Sequence, residues 1–226
     1  MKYFILYTFL FLFTISTNAQ WTSLNPYPTG NTSYIGSAPS ADRYITVTGQ
    51  GEAIVTHDGG NTWTLVAIGG DGIYRSAYFH NYNIGCAVGS FNQRLHKTMD
   101  GGLTWTHQPN APDTTKYDVF FINENIGWSV GFNGLIIKTT DGGSTWFSQT
   151  NWSVTTRTLY GVHASDANNV WVVGNNETIL KSTNGGDTWT ALPAIFSPET
   201  SYRAVYFFDA NTGFVVGNRS RIAKTT

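Results

Sequence analysis

A single cysteine, Cys86, occurs in the 226 residues, so no disulfide can staple the chain to itself and its stability has to come from packing. Charge is equally scarce. Asp, Glu, Lys and Arg together make up 12% of the sequence, with 13 basic against 14 acidic side chains and a formal net charge of −1. That balance excludes a general nucleic-acid or anionic-membrane binder, which would carry a basic excess. The one long apolar run, residues 3–15, is too short for a membrane span, which needs about 20 residues. No segment keeps a 3.6-residue apolar period over ten or more residues, which argues against a helical fold. The five histidines, His57, His80, His96, His107 and His163, are scattered without ligand spacing, so no metal site is expected. Phosphate-binding and dinucleotide fingerprints are missing too, and no cofactor is expected.

What the chain has instead is glycine and aromatic side chains. There are 24 glycines and 15% aromatic residues, a mixture suited to short strands, tight turns and aromatic packing. The first 19 residues read as a signal peptide: Lys2 supplies a small positive region, the apolar run follows, and Thr17-Asn18-Ala19 offers small residues for cleavage. The expected mature protein is therefore residues 20–226, exported to the periplasm, the cell surface or the medium.

One eight-residue motif recurs four times, as Thr56–Trp63, Thr98–Trp105, Thr139–Trp146 and Ser182–Trp189. Its third residues, Asp58, Asp100, Asp141 and Asn184, follow one another at spacings of 42, 41 and 43. Lys224-Thr225 continues the register of Lys97-Thr98, Lys138-Thr139 and Lys181-Ser182, so a fifth motif would start at Thr225 and the chain stops inside it. Each unit reads as four short strands, for example YDVFFIN, GWSVG, LIIKTT and, after the Asp-Gly-Gly turn, TWFSQ. A four-stranded repeat of about 40–45 residues is the size of one propeller blade. The expected fold is all-β, a β-propeller with four full repeats and a partial fifth, forming an incomplete ring. In each turn the Asp side chain accepts backbone hydrogen bonds, the glycines take positive φ, and the Trp at 63, 105, 146 or 189 plugs the sheet. Asn184 keeps the accepting oxygen without the charge, which suits a structural turn better than a catalytic carboxylate.

The motif resembles the Asp-box, or BNR, repeat of sialidases, sortilin-type receptors and some glucan-cleaving enzymes. The longer unit, with Gly-Trp-x-Val-Gly and Gly-x-Ile-x-Lys-Thr before the box, is closer to the photosystem II assembly and stability factor repeats of exported bacterial proteins. The resemblance spans roughly residues 40–226. It implies a propeller whose Asp-boxes lie on the face opposite the usual ligand site, and it leaves function open, because one fold hosts many tasks.

A sialidase should bring an arginine triad, a Tyr/Glu pair and an acidic donor, and its Arg-Ile-Pro signature is missing here. A glycosidase needs two carboxylates converging on one bond. Asp71, Asp113, Asp166 and Asp209 are candidates, but Asp166 and Asp209 recur at a repeat position shared with Asn81 and Asn123, as a scaffold residue would. Glu52 and Glu177 precede third strands at equivalent points, Glu124 lies in a loop, and Glu199 completes the set of glutamates. No catalytic residue is assigned. Cys86 fills the slot of Trp128, Trp171 and Phe214 and reads as a buried apolar residue. The arginines are more informative. Arg75 and Arg203 stand at equivalent points just before inner strands, with Lys116 and Arg157 in the corresponding connections. Blade-to-blade connections gather at the mouth of a propeller's channel, where these four cations would receive an anionic glycan, a peptide carboxylate or an acidic loop. The sequence thus points to a non-enzymatic scaffold for a protein or polysaccharide, with a glycan hydrolase as the alternative and a photosystem II assembly role as a third reading. Export predicts a mature chain that starts at Gln20. Mass spectrometry of the protein from its native host checks this, and an intact Met1 would refute it.

Overall fold

The computed structural model describes residues 30–69, 72–90, 95–196 and 200–226. The expected signal peptide lies outside them. The chain forms five sheets in sequence order. The first holds β1 (Ser33–Ser40), β2 (Arg43–Thr48), β3 (Glu52–Thr56) and β4 (Thr64–Ala67). The second holds β5 (Tyr74–Phe79), β6 (Gly85–Gly89), β7 (Leu95–Thr98) and β8 (Thr106–His107). The third holds β9 (Lys116–Phe121), β10 (Gly127–Gly131), β11 (Ile136–Thr139) and β12 (Phe147–Ser148). The fourth holds β13 (Leu159–Ala164), β14 (Val170–Gly174), β15 (Ile179–Ser182) and β16 (Thr190–Ala191). The fifth has three strands, β17 (Tyr202–Phe207), β18 (Gly213–Gly217) and β19 (Ile222–Thr225). Every pairing is antiparallel. Among the described residues the only helical element is the 3-10 turn Phe132–Gly134, and no helix is long and apolar enough to cross a membrane.

The first strands pack on one another in the series β1, β5, β9, β13, β17, whereas the short fourth strands lie at the outer edge of each sheet. This is a β-propeller, with its first strands around the axis. Apolar side chains fill the space between successive sheets. Ile45, Val47 and Val55 of the first meet Ala77, Phe79 and Ala87 of the second. Cys86, Val88 and Leu95 then meet Val119, Phe121 and Ile137, and Trp128, Val130 and Ile136 meet Val162, Val172 and Leu180. Trp171 stacks on Phe207 with centroids 3.6 Å apart at the last interface. The second-strand slot expected for Cys86 is thus an interface position, and burial pushes its thiol up to about 12, leaving it inert.

The Asp-box turns share one hydrogen-bond pattern. In the third box the Thr139 hydroxyl donates to Asp141 (2.8 Å) and accepts from Gly143 N–H (2.8 Å). Asp141 also accepts from Thr145 N–H (2.8 Å) and the Thr145 hydroxyl (2.6 Å). Asp58 and Asp100 repeat this set. Asn184 accepts from Ser182 and from Thr188 N–H through its oxygen, while its amide nitrogen donates to the Thr188 hydroxyl at 2.9 Å. The change of donor direction preserves the turn. Both glycines take positive φ, 68° and 85° at Gly142 and Gly143, which a side chain would resist.

Three of the four box tryptophans enter the interface with the preceding sheet. Trp146 and Trp189 are buried there, and Trp105 is half-buried against the first sheet. Trp63 has no preceding sheet among the described residues and lines an open hollow with Arg43 and Tyr44. At the other end Phe214, Val216 and Ile222 are 38%, 40% and 66% exposed, although their equivalents Trp171, Val173 and Ile179 are buried. Among the described residues, nothing packs over the apolar faces of the first and fifth sheets.

Asp141→Ala should cost about 1–2 kcal/mol through the lost turn bonds, and Asp141→Asn less, since Asn184 already serves. Denaturant unfolding measures both. Asp58 lies at about 2, lowered first by the Thr62 hydroxyl, then by Thr62 N–H and the Thr56 hydroxyl. A depressed carboxylate adds stability that is complete above its unfolded value near pH 4 and is lost as pH falls toward 2. The melting temperature should therefore drop across that window, and Asp58→Asn should flatten the drop.

Candidate functional site

Inner strands carry the residues that face the axis, and a repeated irregularity selects them. Tyr74 pairs with Gly89 and Ser76 with Val88, leaving Arg75 as an extra residue opposite one step of β6. The same bulge isolates Tyr117 in β9, Tyr160 in β13 and Arg203 in β17, and a shift in β1 brings Tyr34 to the equivalent place. A β-bulge turns a side chain out of the alternation of its strand. Here it produces a row. The Arg75 guanidinium lies 5.2 Å from the Tyr34 ring and 5.6 Å from the Tyr117 ring. Tyr117 meets Tyr160 edge-on at 5.1 Å, and the Arg203 guanidinium lies 4.1 Å over Tyr160. Arg75 Nε also donates to Ser90 Oγ at 3.1 Å, which ties it to the turn after β6. Among the described residues neither Arg75 nor Arg203 is paired with a carboxylate, so both cations are held by ring faces.

The expected patch is therefore assembled differently from the sequence reading. Arg75 and Arg203 occupy equivalent bulge positions inside β5 and β17, rather than just before those strands. Lys116 does not join them. It precedes the bulge, points into the sheet and is fully buried, with Nζ donating to the carbonyls of Pro112 (2.6 Å) and Thr114 (3.0 Å). Burial lowers it to about 8, with Asp113 pulling the other way. Its equivalents Tyr74, Leu159 and Tyr202 are buried likewise. Arg157 is exposed in the connection two residues before β13, where its carbonyl accepts from Gly134 N–H at 2.9 Å. The sequence could not distinguish a residue at the bulge from one beside it. The tyrosines of the row carried a readable signal: Tyr34, Tyr117 and Tyr160 repeat at the register of the two arginines.

Below this row lies Asp118, which the sequence analysis passed over. It stands where other inner strands carry Ser76, Gly161 and Ala204. Its carboxylate accepts from the Ser76 hydroxyl (2.8 Å), Val119 N–H (2.9 Å) and Val162 N–H (3.0 Å), joining three sheets. The residue keeps some accessible surface, yet its carboxyl group is enclosed. Burial raises it to about 6 against the lowering effect of those donors. A third tier follows: Tyr78, Phe120, His163 and Tyr206, with ring centroids 5.1, 4.5 and 4.5 Å apart along the row. His163 Nδ1 accepts from Phe207 N–H at 3.2 Å, and burial lowers the ring to about 4.

Asp166 and Asp209 cap their own turns. Asp166 Oδ1 accepts from two N–H groups of its own turn at 2.8 and 2.9 Å. Asp209, Asn81 and Asn123 do the same in their turns. Glu177 aligns with Gly134, one residue off Glu52, correcting the equivalence read from sequence; it takes φ 56° in its turn. Asp71 and Glu199 lie outside the described residues. Among the described residues no group of three His, Cys, Asp or Glu side chains is placed to hold a metal ion.

Asp118 and His163 should drive opposite pH responses. Asp118 has a raised value, so its carboxyl favours folding below about pH 4 and loses that contribution as pH rises through 6. His163 has a lowered value, so its contribution is present above about pH 6.5 and is lost as pH falls through 4. Asp118→Asn should then lose melting temperature more steeply than the parent between pH 6.5 and 4, and His163→Phe less steeply. Parallel profiles in all three proteins would refute both assignments.

The family described as photosynthesis system II assembly factor YCF48 matches residues 60–148 and 147–226. No curated protein matches the sequence. Among solved structures, YCF48 bound to a D1 peptide superposes with a TM-score of 0.72 at 18% identity, over 92% of this chain and 68% of that one. YCF48 from Cyanidioschyzon merolae gives 0.70 at 17% identity, over 91% of this chain and 72% of that one. A GH74 enzyme from Niastella koreensis gives 0.66 at 17%, over 84% of this chain and 36% of its own. At such identities the likeness to solved structures concerns the fold. With the family matched over most of its length, this chain belongs to the photosynthesis system II assembly factor YCF48 family.

Proposed function

We propose that this protein is an exported, non-enzymatic scaffold that binds a segment of another protein at the mouth of its channel. The observation that carries the reading is the bulged row Tyr34, Arg75, Tyr117, Tyr160 and Arg203. Rings on either side hold the Arg75 guanidinium and one ring holds that of Arg203, without neutralising either, so the terminal nitrogens of each fork remain for a ligand. A fork of this kind recognises carboxylates in two-point geometry, and the tyrosines add apolar contact and hydroxyls. An acidic peptide or loop fits that chemistry, and a polysaccharide bearing carboxylates is the other ligand class that would. One YCF48 structure holds a D1 peptide, which favours the peptide. Assembly of photosystem II itself is a narrower reading, favoured by the family and dependent on a photosynthetic host. Hydrolysis is disfavoured because the described inner strands β5, β9, β13 and β17 carry one carboxylate, Asp118, and glycoside cleavage uses a pair.

The test is direct binding. An acidic peptide should bind in fluorescence anisotropy with an affinity that falls as salt rises, and its amidated, neutral counterpart should not. Replacing Arg75 and Arg203 together by alanine should weaken capture at least tenfold and leave the melting temperature nearly unchanged. Equal binding of acidic and neutral peptides, or full binding by the double variant, would overturn the proposal.

A further inference from the structure

Glu177 carries a buried carboxylate in a strained turn. Its φ is 56°, in the left-handed region that side-chain-bearing residues avoid, and glycine holds the equivalent place in the third sheet, as Gly134. The residue is only 3% exposed. Its carboxylate is used on one side: Oε2 accepts from Phe196 N–H at 2.9 Å, whereas Oε1 is buried without a hydrogen-bond partner. Strain and a buried charge are both unfavourable, and one backbone donor offsets neither in full.

Two more buried oxygens without partners lie beside it, Thr200 Oγ1 and Tyr202 Oη, both on residues with no exposed surface. Glu177 N–H donates to the Thr200 carbonyl at 2.8 Å, and the Phe196 ring lies 6.4 Å from that of Tyr202. Burial, and then the Glu177 charge, raise the Tyr202 phenol. The junction of the fourth and fifth sheets thus collects one carboxylate oxygen and two hydroxyls, none bonded to another.

The third sheet shows what such a slot takes. Pro112-Asp113-Thr114-Thr115-Lys116 and Pro198-Glu199-Thr200-Ser201-Tyr202 run in the same register, with Lys116 opposite Gly131 and Tyr202 opposite Gly217. Lys116 Nζ lies among the carbonyls of Pro112 and Thr114, a monovalent cation held by oxygens. Tyr202 brings no charge to the matching place, and the Glu177 carboxylate enters from the hairpin. At the junction of the third and fourth sheets the corresponding pair is Gly134 and Leu159, with neither carboxylate nor hydroxyl.

We propose that Glu177, Thr200 and Tyr202 bind an alkali-metal cation, sodium or potassium, between the fourth and fifth sheets. An all-oxygen set selects a hard ion. One carboxylate balances one positive charge, so a monovalent ion leaves the slot neutral, whereas calcium or magnesium would leave a net charge buried. The ion fills the role of the Lys116 ammonium two sheets earlier. It ties the hairpin between β14 and β15 to the connection that leads into β17. This inference does not depend on the ligand proposed for the channel mouth.

Thermal unfolding of the mature chain at constant ionic strength tests it, with sodium or potassium exchanged against tetramethylammonium, whose methyl groups keep it from the oxygens. Sodium or potassium should raise the melting temperature by about 3–5 °C once the ion is about tenfold above its dissociation constant. Glu177→Gln should remove this dependence and still fold. Its amide oxygen can accept from Phe196 N–H, and its amide nitrogen can donate to the hydroxyls in the ion's place. Tyr202→Phe should keep a weaker response, with its midpoint at several-fold higher salt. Thallium(I), a spectroscopic substitute for potassium, should give a bound NMR resonance in the parent and none in Glu177→Gln. A parent melting temperature indifferent to the exchange would overturn the proposal. So would an equal response in Glu177→Gln, or a larger response to calcium than to either alkali ion.

Discussion

The Asp-box turn is the constraint on which the rest of this propeller depends. Its Thr, Asp and Thr side chains satisfy the turn internally, so two glycines can be pressed against the preceding sheet. At Gly143 a Cβ would stand 2.7 Å from Cys86 Sγ, and the carbonyl of Gly185 accepts the Trp128 indole N–H at 3.1 Å. In the first sheet Arg43 reaches across to the Gly101 carbonyl in the same manner. The turn therefore acts as a clamp between neighbours. Each box fixes the approach of its sheet to the one before, and its tryptophan fills the remaining space with apolar surface.

That division of labour leaves the axis free. Outer strands and box turns supply packing, whereas the inner strands meet their neighbours over a narrow strip and present alternate side chains to the channel. Recurrent bulges place a second set there, which is how arginine and tyrosine come to share one row at the mouth. Polar chemistry within the channel is thin and specific: Asp118 ties the second, third and fourth sheets, and His163 sits neutral between rings. The scaffold is built from repetition, and the departures from repetition lie where a partner could reach them.

Much of the fold was legible because the box is a local structure. Eight contiguous residues hold the side-chain donors and acceptors of the turn, and their constant spacing reveals the repeat, the four strands and the tryptophan. Lys116 shows where local reading fails. Next to the bulge, one position decides between the channel and the sheet interior, and no property of the lysine itself signals that choice; the deciding fact is the pairing of Lys116 with Gly131 of β10. Asp118 was missed for a related reason. A carboxylate in an inner strand reads as an ordinary interruption until the neighbours that surround it, Ser76 and Val162, are known to come from adjacent sheets.

From its sequence alone, this protein was determined to be a propeller of Asp-box blades, because turn chemistry and strand alternation act over a few bonds and repeat at a fixed interval. Tertiary structure decided which cations meet, which carboxylate is enclosed and which faces stay uncovered. Those are properties of distances between sheets some 40 residues apart in the chain. Burial and pairing at that range depend on bulges, registers and the presence of a neighbouring sheet, and no short stretch of sequence encodes them.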